Sequence, residues 1–455
     1  MEDRHLTLEL LRAIHSDERN PGDLVPLAMA HLFELCPHCR RVFEAWRREL
    51  GEGVADASLS QYDPAFERLE VEIQASASDG ACGTSSSVEA EQACARRRFA
   101  ELLALSPRER VERLQREPER YAKAVLAELL LDEARSYLPR QPRDSYSVAG
   151  LARAVLQHGA LLPYSAELYC RALAYQGNAL RVQGELRRAG ELFELARFLL
   201  KSQGGGDRLS RAELDSLEGS LRRAQRRLPE ARVLLSRAIM GYALEARHTE
   251  AAGALISLGM VYREMGGELD RAIETTVQAC ETLERGEPSV LQLFARHNLV
   301  NMLVEAGNPS EAKELLDESA PLYERFADHL TQLRRLWVQA HISRAEGDLG
   351  AAESLYLTVR DSFLEEGIAY DAALAALDLA LLYAEQGRTD ELKRVAEEIV
   401  LVFESQEVHR EAATALMLFQ DAVRTEQVTL RYLVELHRYL ERARHDPSLA
   451  FQTPT

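Results

Sequence analysis

A faint internal repeat of about forty residues constrains what this chain can fold into. Alanine recurs at intervals of 40 to 42 residues, at Ala189, Ala231, Ala272, Ala312 and Ala352. Glycine follows the same period at Gly184, Gly266, Gly307, Gly347 and Gly387. Such a period is typical of a stack of similar units, because one unit alone is too small to bury a core. A chain of 455 residues is also too long for one compact core.

The residue types favour helices over strands. Alanine, leucine, glutamate and arginine dominate the sequence, and all four are strong helix formers. Alternating runs rich in Val, Ile and Thr, which predict strands, do not occur between turn residues. We therefore predict an all-α fold, an α-solenoid of antiparallel helix pairs preceded by a small helical N-terminal module.

Charge and hydropathy limit the partners. The formal net charge of −18 argues against broad binding to nucleic acid or to anionic membranes, since both select basic surfaces. No apolar run approaches the roughly 20 residues that span a bilayer. The charged, amphipathic start of the chain predicts no signal peptide. Six cysteines without a secretion signal suggest a reducing compartment, and we expect a cytoplasmic protein of bacterial type.

Composition shifts along the chain predict five segments. Residues 1–50 read as a small helical module, and residues 51–95 read as a flexible linker rich in Ser, Ala and Gly. A helical lead-in with a degenerate first repeat follows at 96–165. Regular repeats occupy 166–406, and residues 407–455 read as a capping helix pair and a tail.

One unit shows the repeat most clearly, and it resembles the tetratricopeptide repeat. The stretch LAYQGNALRVQGELRRAGELFELA places Leu173, Gly177, Leu180, Gly184, Ala189, Phe193 and Ala196 at the positions of that motif. Small residues let two helix axes approach closely, and large residues fill the space opposite. The period of 40 to 42 residues indicates longer helices than the usual motif has.

The resemblance implies a partner surface. In tetratricopeptide stacks, the first helix of each unit lines a concave groove that binds a peptide or a protein. The repeat register places nine side chains there: Asn178, Arg181, Met260, Arg263, His297, Asn301, Trp337, His341 and Arg344. Asparagine offers both a donor and an acceptor to a peptide backbone. Arginine pairs with carboxylates, and tryptophan is a common apolar anchor.

A second candidate site lies near the N-terminus. His31, Cys36 and Cys39 have the spacing of metal ligands, with His15, His5, His38 or a residue of the next segment as a fourth. Tetrahedral zinc favours sulfur and imidazole ligands. The segment HLFELCPHC resembles the zinc-binding anti-sigma factors, in which a helical His precedes a Cys-x-x-Cys pair. The same residues are also consistent with a packing element whose cysteines are buried, or with a redox Cys-x-x-Cys pair, against which the absence of a βαβ pattern counts.

Two functions from different classes remain at this point. The first is a non-enzymatic scaffold that binds a peptide or protein partner in its groove. The alternative is a regulatory, anti-sigma-like protein of transcription control, with zinc in its N-terminal module. The sequence contains no nucleotide-binding loop, nucleophile–base–acid set or HExxH motif, so we expect no enzyme and no cofactor besides zinc.

Overall fold

A computed structural model of the protein describes residues 88–121, 123–158, 165–202, 206–405, 410–425, 427–443, 449 and 451–452. These residues contain 20 helices and no strand, so the predicted all-α fold is confirmed. The predicted module at 1–50 and most of the predicted linker lie outside the described residues. The first described helix begins at Val88, within the segment predicted as a linker. None of the described helices is both long and apolar enough to cross a membrane.

The chain divides into two compact units, unit 1 (Met1–Leu258) and unit 2 (Gly259–Thr455). The described helices of unit 1 are α1 (Val88–Leu103), α2 (Pro107–Arg116), α3 (Pro118–Tyr121), α4 (Ala124–Tyr137), α5 (Pro142–His158), α6 (Ser165–Val182), α7 (Leu186–Ser202), α8 (Arg208–Ala224) and α9 (Leu228–Leu244). The boundary between the units falls within α10 (His248–Met265).

Unit 2 continues the series of helix pairs. Its further helices are α11 (Leu269–Glu284), α12 (Val290–Glu305), α13 (Pro309–Glu318), α14 (Ala320–Phe326), α15 (His329–Ala345), α16 (Leu349–Glu365), α17 (Ala369–Glu385), α18 (Thr389–Ser405), α19 (Arg410–Arg424) and α20 (Leu430–Ala443). In most repeats a long first helix is followed by one second helix. In one repeat the second helix is split into α13 and α14.

Side chains at the helix starts satisfy backbone donors that have no partner within a helix. Ser106 and Glu109 form a capping box at the start of α2. Asp207, Asp328 and Asp348 each accept a hydrogen bond from the backbone N–H three residues ahead, at 2.6 to 3.0 Å. These caps fix where α8, α15 and α16 begin.

The turns that follow the first helices from α6 to α17 each contain a residue with a left-handed backbone. Gly184 has φ 81° and Gly347 has φ 85°, a region where a side chain is strained. In the repeat formed by α8 and α9, Arg226 occupies this position with φ 61°. The recurring glycines of the sequence are therefore turn residues.

A second set of glycines lies within the first helices, where the two helices of a pair are in contact. A Cβ atom at Gly177 would lie 2.9 Å from the Phe193 ring, and one at Gly219 would lie 2.8 Å from Leu235. The five recurring alanines, for example Ala189, are fully buried. The small residues predicted to bring the helix axes together therefore do so.

Helix α20 departs from the simple order of pairs. It contacts α17 as well as its neighbour α19. Its apolar side is buried through Tyr432, Leu433, Leu436, Tyr439 and Leu440. In α17, every residue from Asp371 to Tyr383 is buried, so this helix is covered all round.

Candidate functional site

The predicted binding residues lie on the first helices of the pairs. The first helices α4, α6 and α8 form what we call the first-helix face of unit 1, and α12, α15 and α17 form the first-helix face of unit 2. The structure places Asn178 and Arg181 on α6, Met260 and Arg263 on the unit 2 part of α10, His297 and Asn301 on α12, and Trp337, His341 and Arg344 on α15.

A cavity of about 180 Å³ opens on the first-helix face of unit 1. Its walls include Arg135, Tyr175, Asn178, Glu213, Tyr242 and Glu250. Sites for whole small molecules are usually larger, from about 300 Å³ upwards. The volume therefore suits one side chain of an extended ligand, with the remainder of that ligand outside the cavity.

Polar groups line this cavity with defined protonation states. Tyr175 donates a hydrogen bond from its hydroxyl to Glu213 Oε1 at 2.6 Å, and Arg171 Nε donates to Glu213 Oε2 at 2.7 Å. Burial raises the pKa of Tyr175 and of Tyr242, and the nearby charge of Glu213 raises both further. Both phenols therefore keep their protons at neutral pH.

Asn178 and Arg181 form a contact at the edge of this cavity. Asn178 is 6% exposed, and its Oδ1 accepts a hydrogen bond from Arg181 Nε at 2.8 Å. Burial lowers the pKa of Arg181 to about 10, and the nearby Arg223 contributes. The guanidinium therefore stays charged at neutral pH. No carboxylate of the described residues pairs with it, although the other repeat arginines of the prediction have such partners.

On the first-helix face of unit 2, Asp378 holds three helices together. The buried carboxylate of Asp378 accepts a hydrogen bond from Trp337 Nε1 at 2.7 Å, and His341 Nε2 lies 3.1 Å away. His437 Nε2 of α20 lies 3.5 Å from its other oxygen. Burial alone would raise the pKa of Asp378, but the charges of His341 and His437 lower it overall. The carboxylate therefore joins α15, α17 and α20.

His297 and Asn301 lie one turn apart on α12. His297 Nδ1 is 2.7 Å from the Tyr323 hydroxyl. Burial lowers the pKa of His297 to about 4, with Arg334 and His341 adding to the effect, so the ring is neutral at pH 7. Asn301 Nδ2 donates to the His297 backbone carbonyl at 3.0 Å.

Two of the predicted arginines form ion pairs with a glutamate of the next repeat in the chain. Arg263 Nε donates to Glu305 at 2.6 Å, and Arg344 Nε donates to Glu385 at 3.1 Å. Met260 is half-buried on α10. The roles of all nine residues in binding a partner stay predictions.

Sequence reasoning missed Asp378, His437 and Glu213. A signal for Asp378 existed, because an ionisable residue in the apolar run of α17 must find partners when that helix is buried. For His437 there was no such signal, since its contact joins helices that are not neighbours in the repeat order. Glu213 stands among ordinary surface-type residues of α8.

The predicted metal ligands His15, His31, Cys36 and Cys39 lie outside the described residues. Among those that the structure does describe, no group of three or more His, Cys, Asp and Glu side chains is placed to hold a metal ion.

The Asp378 cluster predicts that unit 2 loses stability when the pH rises above neutrality. Burial opposes the charge of His437, but Asp378 outweighs burial and raises its pKa. Glu441 raises the pKa of His437 further, whereas Arg263 lowers it. Stability from His437 is therefore full below its unfolded pKa of about 6.5 and is lost as pH rises through the folded value. Stability from Asp378, whose pKa is lowered, is present above about pH 3.9 and is lost on acidification.

Urea unfolding followed across this pH range tests the prediction. We expect the midpoint to fall as the pH rises above about 6.5 in the wild type, and to fall less in His437→Gln. A midpoint that rises over that range would contradict the assignment.

No family model matches the chain, and neither does any curated protein sequence. Solved structures do resemble it. A Rap protein complexed with competence and sporulation factor matches with a TM-score of 0.54 at 11% identity, over 70% of this chain and 88% of that one. The fold is tetratricopeptide-like. At this identity the likeness identifies the tetratricopeptide-like fold alone.

Two further structures match over most of the chain. The apo form of the quorum sensor NprR from B. thuringiensis has a TM-score of 0.45 at 17% identity, over 75% of this chain and 99% of that one. Aspartyl phosphate phosphatase F from Bacillus subtilis has a TM-score of 0.47 at 12% identity, over 90% and 94% respectively.

Proposed function

We propose that the chain is a non-enzymatic, tetratricopeptide-like scaffold that binds a short peptide, or an extended segment of a protein, on its first-helix faces. The observation that carries this proposal is the cavity on the first-helix face of unit 1. It is too small for a typical whole small molecule, and it has the size for a single side chain. Asn178 borders it, and its Nδ2 makes no hydrogen bond within the described residues.

An extended peptide suits these groups. A peptide backbone presents one donor and one acceptor per residue, and the amide of Asn178 can serve either. The neutral hydroxyl of Tyr175 donates its proton to Glu213, so its oxygen, like that of Tyr242, can accept a hydrogen bond inside the cavity. One structure of this fold, the Rap protein, is complexed with competence and sporulation factor, which is consistent with binding of a partner by such helix pairs.

The protonation states support a binding role over catalysis. Burial raises the pKa of Cys170 to about 11 and that of Cys280 to about 12, so neither thiol is an activated nucleophile. The lowered pKa of His297 reflects burial against Tyr323, and no carboxylate of the described residues hydrogen-bonds its ring to orient a proton relay. Cys170 and Cys280 form no disulfide, which also suits the reducing, cytoplasmic setting that we propose. Zinc binding by His31, Cys36 and Cys39 stays a proposal that rests on their spacing.

Affinity selection tests the proposal. The full chain is incubated with an equimolar pool of random short peptides, separated by size exclusion, and the retained peptides are sequenced by mass spectrometry. We expect a subset of related sequences to be retained. The most enriched peptide should then bind Asn178→Ala about tenfold more weakly in calorimetry, since one buried hydrogen bond is lost.

The control is Arg187→Ala, which changes an exposed residue of α7 and should bind like the wild type. Thermal unfolding of each variant separates lost binding from lost folding. If the wild type retains no peptide, or if Asn178→Ala binds the selected peptide as well as the wild type does, the proposal is wrong.

A further inference from the structure

Arginine recurs at one position of the repeat. Arg181, Arg263 and Arg344 each lie near the end of a first helix, three residues before a turn glycine. They occupy α6, α10 and α15 respectively. Because the position is the same, the surroundings of the three guanidinium groups can be compared directly.

Two of these arginines form an ion pair with a glutamate of the same chain. Arg263 pairs with Glu305, and Arg344 pairs with Glu385. Both glutamates are the last residue of the next first helix, α12 and α17. The repeat therefore contains a recurring ion pair between an arginine and the end of the following first helix.

The first helix that follows Arg181 is α8, and its last residue is Ala224. Alanine offers no carboxylate, so the partner that Arg263 and Arg344 possess is missing here. Arg181 instead uses its Nε to hydrogen-bond Asn178 within its own helix, at 2.8 Å. Within the described part of the chain, its two terminal nitrogens make no hydrogen bond.

The pKa values of the three arginines differ in the way that the presence or absence of a glutamate partner predicts. Burial disfavours the charge of Arg263 and of Arg344, but Glu305 and Glu385 more than offset it, so both pKa values are raised. Burial lowers the pKa of Arg181, and the charge of Arg223 lowers it further. In a chain with a net charge of −18, this is a local excess of positive charge on a predicted binding face.

We propose that Arg181, held in place by Asn178, is a subsite for a carboxylate of the bound peptide, which replaces the glutamate missing at position 224. Because Asn178 occupies Nε, the edge formed by the two terminal nitrogens remains for the ligand. A carboxylate can accept two parallel hydrogen bonds along such an edge, which gives direction as well as charge. Asn178 also borders the cavity, so the carboxylate and the side chain in the cavity belong to one ligand.

This inference rests on the proposed peptide binding and is tested with three pools of random short peptides. The first pool has free C-termini and lacks Asp and Glu. The second has amidated C-termini and contains Asp and Glu. The third has amidated C-termini without Asp or Glu, and so carries no carboxylate. Retention of the first pool over the third assigns the C-terminal carboxylate, whereas retention of the second over the third assigns an acidic side chain.

Three variants complete the test. Arg181→Met removes the guanidinium. Ala224→Glu supplies the carboxylate that the repeats of Arg263 and Arg344 have. The new glutamate should form an ion pair with Arg181 and so block the binding of a ligand carboxylate. Ala224→Gln is the matched control, since it has similar size without charge. We expect the preference for carboxylates to fall about tenfold in Arg181→Met and in Ala224→Glu, and to persist in Ala224→Gln.

Folding is checked by thermal unfolding, where Ala224→Glu should be at least as stable as Ala224→Gln if the new ion pair forms. Equal retention of all three pools by the wild type would overturn this inference while peptide binding stands. A carboxylate preference that persists in both Arg181→Met and Ala224→Glu would also overturn it. If the wild type retains nothing from any pool, this inference and the proposed function both fail.

Discussion

Replacing Asp378 with alanine is expected to lower the free energy of unfolding by about 3 to 5 kcal/mol, as removal of one partner of a buried ion pair typically does. The carboxylate is 5% exposed and lies within 2.7 to 3.5 Å of donor nitrogens of Trp337, His341 and His437. Without it, the Trp337 indole N–H loses its acceptor, and α20 loses its ion pair to α17. Urea unfolding of the full chain measures the effect.

Two further variants control this experiment. Asp378→Asn keeps an acceptor for Trp337 and should lose less stability than alanine does. Glu385→Gln removes an exposed ion-pair partner from the same helix and should change stability by no more than about 1 kcal/mol. If Asp378→Ala costs no more than Glu385→Gln, the buried carboxylate does not hold these helices together.

Replacing Phe193 with alanine is expected to cost a similar amount, about 3 to 5 kcal/mol, because a large buried ring leaves a cavity. Phe193 is fully buried in α7 and packs on Gly177 of α6. The matched control is Phe198→Ala on the same helix. Phe198 is 68% exposed, so its loss should change stability by less than about 0.5 kcal/mol.

The contact between Phe193 and Gly177 can be isolated with a double-mutant cycle. Gly177→Ala alone should destabilise by about 1 to 3 kcal/mol, since its Cβ would lie 2.9 Å from the ring. In the Phe193→Ala background the ring is absent, so the same change should cost clearly less. Additive costs would mean that these two residues do not define the approach of α6 and α7.

The pairing of helices could be predicted from the sequence because it depends on local spacing. Gly177 and Phe193 are separated by the length of one helical hairpin, and their sizes complement each other. Gly184 could likewise be placed at a turn, since a left-handed φ favours glycine. Arg226 shows that the rule is a preference, because it takes the same conformation with φ 61°.

The candidate site could be predicted only in part. The register placed Trp337 and His341 on a first helix, which the structure bears out. Their shared contact with Asp378 could not be read from the repeat, because it also involves His437 on α20. A repeat pattern describes how neighbouring helices pack, whereas α20 contacts α17, from which two helices separate it along the chain. The lack of a carboxylate partner for Arg181 within the described residues could not be predicted, because it depends on the ion pairs that Arg263 and Arg344 form with Glu305 and Glu385.

Hydrogen–deuterium exchange tests most directly whether the first-helix faces bind a peptide. Exchange of the full chain is measured by mass spectrometry with and without the peptide that the wild type enriches from the random pool. We expect slower exchange in α6 and α8, which carry Arg181, Asn178 and the cavity residues Tyr175 and Glu213, and little change in α7, which contributes no residue to the cavity wall. Protection confined to α7, or no protection in unit 1, would contradict the claim.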